Sequence, residues 1–296
     1  MSDQFNWFTD EDTDWEAIES LLEPAPARPF PRRWWWVTAV ALAVLAAGGL
    51  IFRQIDQRVE TAAANTTTDI KSSFALLLQA VENNDADLFT TLISGSDASW
   101  TAAQEQLLAE GLFFDRQPLG LTAAAAPELV SVVTAPDLRA AEIVVAQHFT
   151  DQEGQPVSLQ QTLVYRLGRT RWLLAPPRSE FWGDWQTGNG RYLMLAYRRR
   201  DEAIAQRLLA DLDAHLAAAC HDLADLNCPD DLNLSVRLAS DPAVLTKLAD
   251  PQTRFDVRYG LILPSPSLIG EPVDEAGYEA LQAAYAVPVV SAAIGQ

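Results

Sequence analysis

The sequence predicts an α+β protein: an N-terminal transmembrane helix, a domain of helices followed by a curved antiparallel sheet, and a smaller α/β domain. Three observations predict it. The run Trp34 to Phe52 holds nineteen residues without a formal charge. Beyond about residue 128 the apolar spacing changes from every three or four residues to every second one, the mark of strands rather than helices. After residue 190, strand-like and helix-like segments alternate. The expected layout is a tail over 1–33, a membrane helix over 34–53, a helical stalk over 54–72, an α+β domain over 73–183 and an α/β domain over 190–296.

Composition sets the frame. At 296 residues, 49% of them hydrophobic and 21% charged, the chain has the length of two modest domains and the apolar content to bury a core for each. A formal charge of -19 excludes a nucleic-acid partner, because binding to phosphate backbones rests on Lys and Arg releasing counterions.

The tail is acidic, with eight acids and one Arg in its first thirty residues, and ends in "EPAPARPFPRR", whose prolines favour an extended spacer. Within it Trp15, Ile18, Leu21 and Leu22 fall at helical spacing behind Asp12 or Thr13 as a cap. Two readings stand side by side, a short helix that docks a partner and a solvated acidic tail with transient helix.

The membrane helix follows from length. Nineteen residues rise about 28 Å as a helix, close to the hydrocarbon thickness of a bilayer. Trp34, Trp35 and Trp36 suit the headgroup boundary, where an indole keeps its ring apolar and its N–H wet. Arg28, Arg32 and Arg33 precede the run, whereas Arg53 and Arg58 follow it among Asp56 and Glu60, which orients the N-terminus to the cytoplasm and the bulk of the chain outside. A cleaved signal peptide has a short basic leader; here thirty-three residues precede the run and the nearest A-x-A site, Ala62 to Ala64, lies ten residues past Phe52. The small-residue row Ala39, Ala43, Ala47 with Gly48 and Gly49 permits close helix pairing, hence a homodimer. Cys220 and Cys228 both fall on the outer side, where an oxidising compartment permits a bridge, with a pair of free thiols as the alternative.

"RQIDQRVETAAANTTTDIKSSFALLLQAVENND" lacks Gly and Pro and continues helically into the first domain, joined by "DADLFTTLI" and by "ASWTAAQEQLLAEGLF" with Trp100, Gln104, Leu107, Leu108 and Phe113 on its mixed face. Strands follow in "ELVSVVTAP", "AAEIVVAQHFTD", "PVSLQQTLVYRLG" and "RTRWLLAPP". Val157, Leu159, Gln161, Leu163 and Tyr165 point one way, and Leu167-Gly168-Arg169 returns the chain into Trp172. Helices first, a curved sheet after, and this Gly-x-x-x-Trp return resemble the nuclear transport factor 2-like cone fold over roughly residues 70 to 178. That resemblance implies either a small-molecule site inside the cone or an inert spacer module. His148, Tyr165 and Trp172 are the candidate pocket residues; a histidine that merely satisfies the wall is the plainer reading of His148, which has no identifiable Asp or Glu partner.

"RSEFWGDWQTGNGRY" reads as the joint. Phe181, Trp182 and Trp185 are expected to plug the interface between domains, with a sugar-stacking surface as the alternative. The second domain reads β-α-β-α-β-α: a strand near Arg191 to Tyr197, a helix from Asp201 or Glu202, the strand "DLNLSVRLAS", a short helix, the strand "YGLILPSPSLIG" and a closing helix. This order resembles the N-terminal lobe of gluzincin-type metallopeptidases. The departure is decisive for chemistry, since no histidine occurs after His221 and H-E-x-x-H is absent. Tyr278, Leu281, Tyr285, Val289 and Ala292 or Ala293 are expected to face the core, and Pro288 to kink the helix or start a fresh turn.

Asp211, His215 and His221 draw a metal site on paper, with hydrogen bonds along an exposed helix face as the plainer reading. Arg198 to Arg200 form the dense basic run beyond the apolar span. They either brace against Asp201 and Glu202, face an anionic lipid or polymer, or are simply solvated. No phosphate loop, G-x-S-x-G elbow or Cys–His pair with the geometry of a nucleophile and its base occurs. The layout resembles bacterial single-pass envelope proteins. The expected function is non-enzymatic binding or scaffolding at the cell membrane, with no catalytic, cofactor or metal residues, membrane lipid contacted through one helix and a protein or peptide partner. The alternatives are a small-molecule-binding or hydrolytic cone and a signal transducer acting through the tail.

Overall fold

The computed structural model describes residues 32–222, 233–248, 255–256 and 258–294. The acidic tail up to residue 31 and Cys228 lie outside them. The chain divides into two units between Val59 and Glu60.

The first unit holds the start of α1, which spans Arg32–Glu82. From Trp35 to Gly49 every described side chain is exposed, Trp35 at 74% and Leu45 at 72% among them. Among the described residues no helix is long and apolar enough to cross a membrane. The side chains of Arg32, Arg33, Trp34, Thr38, Leu50, Ile51 and Phe52, which include both ends of the apolar run, lie outside those described.

The second unit begins with the rest of α1, where Ile70, Phe74, Leu77 and Ala80 recur at three or four residue steps and are buried. Two shorter helices follow, each started by an aspartate. Asp85 accepts the Leu88 N–H ahead of α2 (Ala86–Leu92), and Asp97 accepts those of Ser99 and Trp100 ahead of α3 (Ala98–Ala109). These bonds hold the Asp97 carboxyl below its ordinary pKa, the Trp100 N–H contributing most.

The first sheet curls into an antiparallel half-barrel. Its spine is the long hairpin of β3 (Ala140–Thr150) and β4 (Pro156–Leu167), in register from Ala140 opposite Arg166 to Thr150 opposite Pro156. β1 (Thr122–Ala123) and β2 (Glu128–Thr134) pair along the far edge of β3, and β5 (Trp172–Leu174) along that of β4. Alternate residues are buried as the period predicts: Ala141, Ile143, Val145, Gln147 and Phe149 on β3, and Val157, Leu159, Gln161 and Tyr165 on β4. Phe89, Trp100, Leu107 and Phe113 join the same core, Phe89 meeting Phe113 edge-on at 5.2 Å.

After α4 (Ser179–Trp182) comes the second sheet, ordered β6-β7-β8-β10-β9. Its members are β6 (Trp185–Asn189), β7 (Leu193–Arg198), β8 (Leu234–Ala239), β9 (Phe255–Asp256) and β10 (Gly260–Pro264). The inner three strands are parallel and both edges antiparallel. α5 (Glu202–Asp222) connects β7 to β8, α6 (Ala243–Thr246) follows β8, and α8 (Glu275–Ile294) closes the unit, running on through Pro288. Leu208, Leu212 and Leu216 of α5 are buried, and so are Leu281, Tyr285 and Val289 of α8, which were expected from the sequence to face the core. A polar seam runs beside them: Arg207 bonds Glu275, Tyr278 donates to Asp211 at 2.6 Å, and His215 meets Gln282 at 3.0 Å. Asp213 accepts three backbone N–H groups, from Arg191, Tyr192 and Leu193, at the turn into β7. A Cβ on Gly190 would sit 2.5 Å from the Asp213 carboxylate, so this turn demands glycine.

Between β10 and α8 lie α7 (Pro266–Ile269) and β11 (Glu271–Pro272), and β11 adds to the first sheet beside β4. This crossing is held by Asp201, 1% exposed at the end of β7. Its carboxylate accepts from the Ser265 hydroxyl at 2.7 Å, the Ser267 hydroxyl at 2.7 Å and the Ser267 N–H at 3.0 Å. The serines of "PSPS" thus tie the ends of two parallel strands to the connection between the sheets.

Candidate interaction surface

The inside of the half-barrel is the first place to look for a site, and it is filled. Gln147 donates to Gln161 at 2.8 Å, and Gln161 donates to the Leu268 carbonyl at 2.7 Å. Arg116, 2% exposed, donates to the carbonyls of Leu112, Phe113, Asp115 and Ile269, so backbone dipoles rather than a carboxylate solvate its charge. Burial lowers its pKa to about 10, partly opposed by Asp115. The space left between Trp100, Gln104, Arg116, Gln161 and Trp182 is about 60 Å³, room for about two waters.

The expected pocket residues do not converge. Tyr165 and Trp172 are buried, at 1% and 3% exposure, and the Tyr165 hydroxyl has no partner among the described residues. His148 lies on the opposite face of β3, because it alternates with buried Gln147 and Phe149. It bonds the Ser158 hydroxyl at 3.1 Å and borders a separate shallow hollow of about 190 Å³. Asp211 and His215 are engaged with α8, and no group of three metal-ligating side chains occurs among the described residues. Cys220, near the end of α5, is not a free thiol.

The two tryptophans of the joint part company. Trp182 is buried and packs edge-on to Phe181 at 4.9 Å, but Trp185 is 37% exposed. The reason is that "WQTGN" is not a linker; it forms the edge strand β6, on which Trp185 stands directly opposite Arg198. The guanidinium carbons of Arg198 and Arg237 lie 4.3 and 4.1 Å from the Trp185 ring centroid. Arg237 is also 4.2 Å from the Tyr259 ring, with Arg258 at 5.3 Å. The result is a row of alternating guanidinium and aromatic groups across the face of the second sheet opposite α5 and α8.

Electrostatics set this row apart. Among the described residues the ion pairs are Arg199–Asp184 at 4.0 Å and Arg207 with Asp211 and Glu275; none involves Arg198, Arg237 or Arg258. Partial burial and then the nearby Arg237 charge lower the Arg198 pKa, and Asp184 opposes them. Nor do Arg198, Arg199 and Arg200 brace against Asp201 and Glu202. They diverge, Arg198 to Trp185, Arg199 to Asp184, and Arg200 over Phe181 and onto the Thr162 hydroxyl. Period-two alternation in "SVRLAS" places Arg237 on the open face, but the sequence holds no signal that its neighbour is Trp185, fifty-two residues earlier.

Comparison with protein-family models, with curated proteins and with solved structures finds no match. The arrangement of side chains therefore carries the functional reading.

Proposed function

We propose that this chain is a single-pass membrane protein whose region beyond the apolar run is an extracytoplasmic binding or scaffold module without catalytic activity. The observation that carries the anchor is the start of α1, apolar along its length with its described side chains from Trp35 to Gly49 all exposed. Water does not stabilise such a surface, and hydrocarbon does. The flanking arginines orient it with the N-terminus in the cytoplasm, and a bridge between Cys220 and Cys228 suits the outer compartment. Support for binding over catalysis is the half-barrel interior, with space for only about two waters, set against a row of arginines on the open face of the second sheet that have no carboxylate at ion-pair distance among the described residues. The nuclear transport factor 2-like likeness of the first sheet belongs to this reading as a spacer module.

Membrane fractionation of the full-length chain tests the anchor. It is expected to stay with membranes through alkaline carbonate and to leave them only in detergent. After reduction, a membrane-impermeant maleimide is expected to label its cysteines from the outer side. Recovery in the soluble fraction, or labelling from the cytosolic side alone, overturns the reading.

A further inference from the structure

We infer that the row formed by Arg198, Trp185, Arg237, Tyr259 and Arg258 is a docking face for an extended acidic peptide segment of another protein. The inference deepens the binding reading above and is independent of the membrane anchor.

Charge complementarity gives the first argument. In a chain of net charge -19, three arginines share one sheet face and none has a carboxylate at ion-pair distance among the described residues. The one acid that acts on Arg198, Asp184, is paired with Arg199. Asp256, next to Arg258, spends a carboxylate oxygen on the N–H groups of Arg258 and Tyr259. Stacking on an aromatic ring holds a guanidinium in place, and Arg237 and Arg258 keep N–H edges for a carboxylate, which Arg binds in a bidentate manner, whereas Arg198 already donates to the Gly183 carbonyl and offers only its remaining terminal N–H groups.

Spacing gives the second. Arg237 is in register with Ala196 on the adjacent parallel strand, so Arg198 stands one strand across and two residues along. With strands about 4.8 Å apart and a rise of about 3.3 Å per residue, the two Cα positions are about 8 Å apart. Carboxylates at alternate positions of an extended peptide are separated by about 6.7 Å, which long arginine side chains accommodate. A compact anion reaches one arginine; an extended acidic strand reaches two or three at once. A lipid bilayer presents its headgroup charges in a fluid plane without this spacing, and the chain's own net negative charge opposes approach to an anionic membrane.

The experiment uses the full-length chain in neutral detergent and a fluorescent peptide of alternating Glu and Thr, read by anisotropy. One control peptide alternates Lys and Thr; a second holds the same Glu and Thr in two blocks; a parallel arm offers phosphatidylglycerol vesicles. The alternating acidic peptide is expected to bind, with affinity falling as salt rises, and the lysine peptide is expected not to bind. Arg237→Ala and Trp185→Ala are expected to weaken binding at least tenfold, with Arg237→Lys recovering only part of it and circular dichroism unchanged in all three. Equal binding of both acidic peptides, unchanged affinity in Arg237→Ala, or capture by vesicles without capture by peptide overturns the inference. Failure here leaves the fractionation result standing, so the two readings fail separately.

Discussion

The two sheets handle their polar side chains in opposite ways. The half-barrel takes glutamines and an arginine inside and bonds them to backbone carbonyls and to one another, as Gln147, Gln161 and Arg116 do, leaving the Gln147 Oε1 and the Tyr165 hydroxyl without a partner among the described residues. The second sheet buries an almost wholly apolar face under α5 and α8 and leaves its arginines on the other side, stacked on rings and without an ion pair among the described residues. A hydrogen-bonded interior network fixes a structure. A half-exposed cation held against a ring is available to a partner. On the reading proposed above, the first sheet serves construction and the second recognition.

That division fails if the junction between the sheets is soft, and the largest expected effect is there. Asp201→Ala removes the acceptor for two hydroxyls and one N–H in a site almost without solvent. The Ser267 hydroxyl keeps Glu271 as an acceptor at 2.9 Å, so the Ser265 hydroxyl and the Ser267 N–H are the donors left unmet, at an expected cost of about 3 kcal/mol in urea unfolding. A loss below about 1 kcal/mol would show that the serines find other acceptors and that the junction yields. Asp201→Asn, which keeps the shape and part of the bonding, is expected to lose less.

How far this contrast was legible in the sequence follows from the range of each signal. Periodicity is local, so the helices of α1 to α3, the long hairpin and the buried face of α8 at Tyr278, Leu281, Tyr285 and Val289 were readable. The expected β-α-β-α-β-α order missed β6, β9 and β11, and took "YGLILPSPSLIG" as one strand where the structure ends β10 at Pro264 and coils Pro266–Ile269 into α7. Contacts between distant segments were not readable. Nothing near Glu271 announces that two residues cross to pair with Leu159 and Gln160. Nor does "PSPS" declare that its hydroxyls answer Asp201, more than sixty residues away. Trp185 was expected to plug a joint between domains, and it stands instead on an edge strand: five residues containing a glycine show no period of their own, and only the partner β7 gives them a ladder to join.

Alkaline pH sharpens the comparison next, because each core holds a buried phenol, Tyr165 in the first and Tyr285 beneath the second. Burial raises both well above the ordinary range near 10. The native state then keeps its protons where the unfolded chain releases them, so the stability they confer is whole below about pH 10 and is lost above it. Arg116 acts with the opposite sign, since a native pKa lowered to about 10 makes the fold gain as pH rises beyond that value. At about pH 11 each phenol is expected to cost about 1.4 kcal/mol. Urea midpoints measured at about pH 8 and pH 11 in wild type and in Tyr165→Phe isolate one phenol, and the variant is expected to lose about 1.4 kcal/mol less. Equal losses in both would mean that the first core opens to water before the phenol titrates.

The smallest expected effect bears most directly on the division of labour. If the arginine and aromatic row exists for a partner, its members contribute little to the fold. Exposed cation–π contacts are worth about 0.5 to 1 kcal/mol, and Arg237 touches both Trp185 and Tyr259. Two such contacts come to about 1 to 2 kcal/mol, and removing Arg237 also relieves the repulsion that the nearby Arg198 feels, so Arg237→Ala is expected to lower stability by about 1 kcal/mol. A double-mutant cycle between Arg237→Ala and Trp185→Ala, read by urea unfolding, is expected to give a coupling below about 1 kcal/mol. A coupling of about 2 kcal/mol or more would make the row part of the sheet's structure, because a partner surface that also holds its own strands together cannot be altered for binding without loosening the fold.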